Sequence, residues 1–149
     1  MDLQEQYSRL LRYCFMKTKD RFLAEDIVQE TFLRFWQSHS YRDTGREMAY
    51  LYTIARNLCM DEFRKPVIVS FEECPEQAAD SRYEPEEAMI QEAVREAMDK
   101  LPADLKEIIV LRYVSELSAA EIGKVVGISR FAVHRRLKEG LALLKKKLT

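Results

Sequence analysis

Apolar residues recur three and four positions apart along most of this chain, with polar residues between them, and that period predicts helices. Tyr7, Leu10, Leu11 and Cys14 share one face of a first helix over about residues 4–17. Asp20 can cap a second, over about residues 22–37, whose core stripe is Ala24, Ile27, Val28, Thr31 and Phe35. On that helix Glu25, Asp26, Gln29, Glu30 and Leu33 fall toward the outside, with Phe32 and Trp36 on an adjoining strip. A third helix, over about residues 47–64, draws its apolar positions from Met48, Leu51, Ile54, Ala55, Leu58 and residues 60–63. Pro66 breaks the pattern, and residues 67–84 have no helical period and contain Pro75, which reads as a linker. Pro85 suits the first turn of the next helix, with Glu86 and Glu87 at its positive end; it runs to about Lys100 and is expected to bury Ile90, Val94, Ala97 and Met98. Pro102 opens another, to about Ser115, with Leu105, Ile108, Ile109 and Leu111 inside.

The pattern is sharpest from Ser118 onward. Ser118 and Glu121 make a capping box, and Ile122, Val125 and Val126 form the buried stripe of the helix it starts. Gly127 supplies a left-handed turn, Ile128 plugs the corner and Ser129 caps a final helix that is expected to bury Val133, Leu137, Leu141 and Leu144. Two short helices pinned by a glycine turn are a helix-turn-helix, whose second helix is available to the DNA major groove.

Charge strengthens that reading. Residues 118–149 carry eight Lys/Arg (Lys124, Arg130, Arg135, Arg136, Lys138, Lys145, Lys146, Lys147) against Glu121 and Glu139, in a chain whose formal net charge is -1. Such a local excess is an electrostatic footprint for phosphate. Residues 66–99 are the opposite, with ten acids against Arg82 and Arg95, while residues 1–65 are nearly balanced. Cys14, Cys59 and Cys74 are widely spaced, with no Cys-x-x-Cys pair and no Cys/His cluster, which argues against a zinc site or a disulfide frame. His39 and His134 are the only histidines, and neither sits in a pattern suited to nucleophilic or metal chemistry, so no enzyme, metal, cofactor or small-molecule substrate is expected. No apolar run approaches a membrane span and no signal peptide is seen, which predicts a soluble, cytoplasmic protein. With four Gly and four Pro in 149 residues, the fold expected is all-α: two small helical domains, 1–65 and 85–149, joined by an acidic linker, 66–84.

Two further surfaces call for a task. The acidic, amide-bearing outside of the second helix, beside its aromatics, reads either as an ordinary solvated face or as a dock for a basic partner. A loop over residues 39–45 holds Tyr41, Arg42 and Asp43; on the third helix Tyr50, Tyr52, Arg56 and Asn57 interleave aromatic, basic and amide groups, a mixture that suits stacking on a single strand, although these residues alone favour an ordinary helix with two half-buried tyrosines.

These residues resemble the extracytoplasmic-function sigma factors of bacterial RNA polymerase, in the sigma-70 family. Residues 24–33 with Trp36 look like region 2.2; Tyr50-Leu51-Tyr52 with residues 54–58 and Asp61 look like regions 2.3 and 2.4. Leu101-Pro102, Leu111-Arg112-Tyr113 and Leu117-Ser118 look like region 4.1, and Gly127-Ile128-Ser129, Val133 and Arg136-Leu137 like region 4.2. The resemblance implies an alternative sigma factor that binds core RNA polymerase and directs promoter-specific initiation. It implies that Asp26, Gln29 and Glu30 contact the coiled coil of the β′ subunit, with Phe32 and Leu33 as apolar support. It assigns the unwound −10 element to Tyr41, Arg42, Asp43, Tyr50, Arg56 and Asn57, although many members carry Trp where Tyr50 stands. It gives the −35 element to the last helix, places the β flap against that domain, threads the linker through the RNA exit channel, and leaves room for an anti-sigma factor.

On that last helix, Ser129 at the cap aims the first turn into the groove. Arg130 and Arg135 have the planar fork for guanine, Phe131 can meet a thymine methyl, and His134 can donate to base or phosphate. Arg136, Lys138 and the Lys145–Lys147 tail suit phosphates. Eighteen linker residues span at most roughly 60 Å, and promoter elements two helical turns apart lie roughly 70 Å from one another, so the domains cannot stay packed together while both read DNA. The competing reading is a helix-turn-helix regulator acting without polymerase, which leaves the second helix's outer face without a task.

Overall fold

The computed structural model describes residues 2–38, 47–63 and 85–149. Among them there is no strand; seven α-helices and one wider turn make up the fold. Helix α1 (Leu3–Thr18) starts where the Asp2 carboxylate accepts from the Glu5 N–H, and ends with Lys19 in the left-handed region. In α2 (Arg21–Gln37) the Asp20 side chain accepts from the Phe22 and Leu23 N–H groups, so two of the four unpaired amides of that first turn are satisfied. Helix α3 (Glu47–Phe63) packs on both, and the three close around Leu10, Tyr13, Cys14, Ile27, Val28, Leu51, Tyr52 and Ala55.

The second unit follows. Helix α4 is Pro85–Asp99 and α5 is Ala103–Ile109; α5 widens into a π turn over Val110–Val114, closed by a Ser115 N–H to Val110 carbonyl bond of 3.0 Å. Helix α6 (Ala119–Val126) carries the full capping box between Ser118 and Glu121, and Gly127 takes φ 79°, a conformation that a Cβ resists. Helix α7 (Arg130–Leu148) is capped by the Ser129 hydroxyl, which accepts from the Ala132 N–H. Ile122, Val125, Val133 and Leu137 are buried beneath, each contributing roughly 1.5–3 kcal/mol if fully removed from water. Gly123 is buried for a steric reason: a Cβ there would lie 2.6 Å from the Ile128 carbonyl oxygen.

Some burial differs from the periodic pattern. Ile90 is 64 % exposed, and Val94 and Leu141 are also exposed, because α4 packs on α7 through its C-terminal end, around Ala97 and Met98. Phe32 is buried, between Tyr7 and Trp36, instead of lying on an outer strip. The acidic linker lies outside the described residues.

The two units do not stand apart. Helix α6 lies along α3, the π turn touches α1, and the buried residues of both units join in one apolar cluster. Arg9 donates to the Ser115 carbonyl at 3.4 Å and pairs with the Glu116 carboxylate at 2.8 Å across this seam.

Candidate nucleic-acid and polymerase interfaces

Three surfaces correspond to the residues singled out in the sequence, and they differ in how free they are. The first is the solvent side of α7. With Val133 and Leu137 turned to the core, the helical period leaves Ser129, Arg130, Phe131, His134, Arg135 and Lys138 exposed together. Phe131 is 71 % exposed, with the Arg130 guanidinium 5.5 Å from its ring centre. A large aromatic held open to water is costly to leave unused, and the stacked cation keeps it partly shielded. Arg136 is half-buried on the flank, and the three lysines of the last turn extend the positive charge along the same helix. Cations at a helix C-terminus also oppose its negative end.

The second is the outer face of α2. Asp26, Gln29, Glu30, Leu33 and Trp36 recur three and four residues apart and are all exposed, Leu33 by 50 % and Trp36 by 61 %. Glu30 pairs with Arg34 on its own helix at 3.0 Å. Phe32 lies under this face instead of on it: its ring packs 5.6 Å from that of Trp36 and 6.4 Å from that of Tyr7. It fixes Trp36 from below, a role its 3.6-period position does not by itself reveal.

The third is α3. Asn57 is exposed. Tyr50 turns inward, with its hydroxyl 2.8 Å from the Ser38 hydroxyl and its ring against Phe35. Arg56 points across the seam at Glu107, its Nε donating to Oε1 at 3.2 Å. Tyr41, Arg42 and Asp43 lie outside the described residues.

Glu107 is the residue the sequence did not announce. It stands among the apolar positions of α5 and is 6 % exposed. Three groups from the other unit converge on its carboxylate: the Tyr13 hydroxyl donates at 2.7 Å, Lys17 forms an ion pair, and Arg56 donates from its side chain. Burial, then the Glu107 charge and its hydrogen bond, push the Tyr13 hydroxyl well above its ordinary value. Burial also raises Tyr52. The Tyr52 and Ser115 hydroxyls are both buried at this seam without a well-formed partner. Cys14 and Cys59 are buried as free thiols in the N-terminal core, in keeping with a packing role. No group of His, Cys, Asp or Glu among the described residues could hold a metal ion.

Comparison with known proteins matches this division. The family profile Sigma-70 region 2 matches residues 3–66, and Sigma-70, region 4 matches residues 97–146. The ECF RNA polymerase sigma factor SigX of Bacillus subtilis is 30 % identical over 92 % of this chain and 76 % of its own length. SigL of Mycobacterium tuberculosis is 34 % identical over 95 % of this chain and 83 % of its own. The chain belongs to the extracytoplasmic-function sigma factors of the sigma-70 family. As an alternative sigma factor it directs transcription initiation, and a regulator acting without polymerase is not favoured by matches that span both halves. Sigma factors are initiation factors, a non-enzymatic class. The fold also resembles that of the sigma factor RpoE from Bartonella quintana, solved in complex with the anti-sigma factor NepR: TM-score 0.73, 22 % identity, 98 % of this chain and 93 % of that one. No helix among the described residues of this sigma factor is long and apolar enough to cross a membrane.

Proposed function

We propose that this sigma factor divides its work among three surfaces: α2 docks on core polymerase, α3 with the loop before it holds the opened −10 strand, and α7 reads the −35 element. The units are residues 1–65 and 85–149, with 66–84 as the linker between promoter elements. Asp26, Gln29, Glu30 and Leu33 meet the β′ coiled coil, with Phe32 as internal support. Tyr41, Arg42, Asp43, Tyr50, Arg56 and Asn57 serve the −10 strand. Ser129, Arg130, Phe131, His134, Arg135, Arg136 and Lys138 serve the −35 duplex, and the β flap is a further contact of this unit. It acts in the cytoplasm, performs no covalent chemistry itself, and an anti-sigma factor is among its partners, by analogy with the Bartonella neighbour.

One observation carries this reading: a single chain presents an exposed acidic-apolar helix face and, at its other end, a separately exposed cationic recognition helix. A DNA-only regulator has use for the second alone. Run-off transcription with purified core polymerase over a promoter pool tests the whole. Glu30→Lys tests the dock. Its lost pairing with Arg34 costs at most about 0.5 kcal/mol, whereas reversing a charge at a complementary, buried contact costs about 2–5 kcal/mol. Core affinity should therefore fall with helicity intact. Unaltered affinity in a titration would remove this face from the interface.

A further inference from the structure

We infer that Glu107 is an internal latch that holds this sigma factor closed and inactive, by occupying Arg56, one of the side chains assigned to the −10 strand. The inference rests on that assignment for its functional consequence, but its structural part stands alone.

A buried carboxylate persists only when paired and hydrogen-bonded. All three partners of Glu107 (Tyr13, Lys17 and Arg56) come from α1 and α3, and it comes from α5. The pairing therefore exists only while the two units are packed together. Yet promoter geometry requires them apart, because −10 and −35 lie roughly 70 Å from one another. Closure and promoter reading exclude each other, and Arg56 cannot serve a phosphate and Glu107 at once.

The latch is also openable by design. Desolvating charges offsets much of what their attraction contributes, so a buried ion cluster adds little net stability against water-exposed alternatives. When the units separate, all four side chains regain water. The charge at the seam makes the point of control clear. Glu107 places one anion between two cations, Lys17 and Arg56, which its removal would leave facing the seam as like charges. A second, outer clasp supports the first: Arg9 with the Ser115 carbonyl and Glu116, the latter held at φ 59°. That conformation is set within its own unit, where the Leu117 N–H closes the turn on the Leu111 carbonyl at 3.0 Å.

The test uses the full chain, free and with core polymerase. Small-angle scattering reads the closed state; titration with core reads its cost. A binding-competent state that is only partly populated weakens apparent affinity by that fraction. Glu107→Gln keeps the shape, removes the anion and should enlarge the radius of gyration while strengthening core binding roughly threefold to tenfold. Glu116→Gln, at an exposed position, should shift both readouts in the same direction but less. Circular dichroism verifies that each variant is helical. A folded Glu107→Gln protein with wild-type dimensions and wild-type core affinity overturns the latch. Should that variant fail to fold, unchanged dimensions in Glu116→Gln overturn it. If the wild-type protein fails to bind core at all, the polymerase reading falls, while the scattering comparison still decides the latch.

Discussion

Two helices of this chain are proposed to meet DNA, and they are presented in opposite ways. Helix α7 turns Arg130, Phe131, His134 and Arg135 to open solvent, with the cap and the apolar stripe doing nothing to restrain them. Helix α3 has its arginine committed to a buried carboxylate of the other unit and its Tyr50 turned inward to Ser38. On the proposed roles the same residue type carries different burdens: Arg130 or Arg135 would matter to DNA alone, while Arg56 would matter to the packing of the protein as well. On the proposed roles, the difference teaches that the −35 helix would be ready in the free protein, whereas the −10 helix would become ready only after the units part.

The strongest challenge to this contrast is Arg56→Ala. It should weaken opening of a duplex promoter more than transcription from a pre-opened bubble. It should also cost about 1–3 kcal/mol in urea unfolding, as removal of one partner from a buried hydrogen-bonded carboxylate does, with Lys17 and Tyr13 still in place. Wild-type stability would mean that Arg56 bears no structural burden. The counterpart is Arg130→Ala or Arg135→Ala. Each should cost about 1–3 kcal/mol in −35 binding and relax preference at one base, yet shift stability by no more than about 0.5 kcal/mol. Holoenzyme binding to a single-base library decides this, and retained base preference in both variants would refute the reading face. A weaker, uniform effect is expected from Lys146→Ala: every sequence bound slightly less well, and a salt slope reduced by about one. Least visible is a pH effect on the seam. Tyr13 and Tyr52 titrate above their ordinary value of 10.0 when folded, mainly through burial. The folded state therefore keeps these protons longer than the unfolded chain. Their contribution is complete below about pH 10 and is lost as pH climbs toward the raised folded values. An alkaline absorbance titration should show these two ionising late, with unfolding. Ionisation of every tyrosine together near pH 10, in a folded protein, would deny that they are buried.

What could be read from the sequence was what neighbours along the chain determine. Ser118 and Glu121 sit three residues apart and cap each other, and Gly127 follows directly on the stripe it terminates, so that helix-turn-helix was legible to the residue. The caps Asp20 and Ser129 were equally local. Glu107 was not, because its partners stand 94 and 51 positions away and periodicity carries no information about charge meeting charge at that range. Tyr13 escaped for the same reason. Ile90 and Val94 show the converse failure: their spacing fits a buried stripe, but only the C-terminal end of α4 meets α7. Phe32 was placed one strip too far out because a wide apolar sector on α2 wraps farther than its central stripe.

Two glycines at the contacts of α7, Gly123 on α6 and Gly140 on α7 itself, have a mechanical consequence. At 19 residues, α7 is a rod of about 28 Å, and glycines let it come close to its own domain at two places. One is at its head, where Gly123 leaves only 2.6 Å between the place of a Cβ and the Ile128 carbonyl; the other is near its middle, where a Cβ on Gly140 would come within 2.7 Å of the Ile109 Cδ1. The rod thus rests on a stop and a fulcrum. The residues proposed to read bases lie between them, and the lysine tail lies beyond. A methyl group added at the stop would meet backbone and lift the head, whereas one added at the fulcrum would meet the Ile109 side chain, whose tip can turn aside. On the proposed role of α7, its aim at the −35 element would therefore be retuned by leverage at Gly123, outside the residues assigned to DNA.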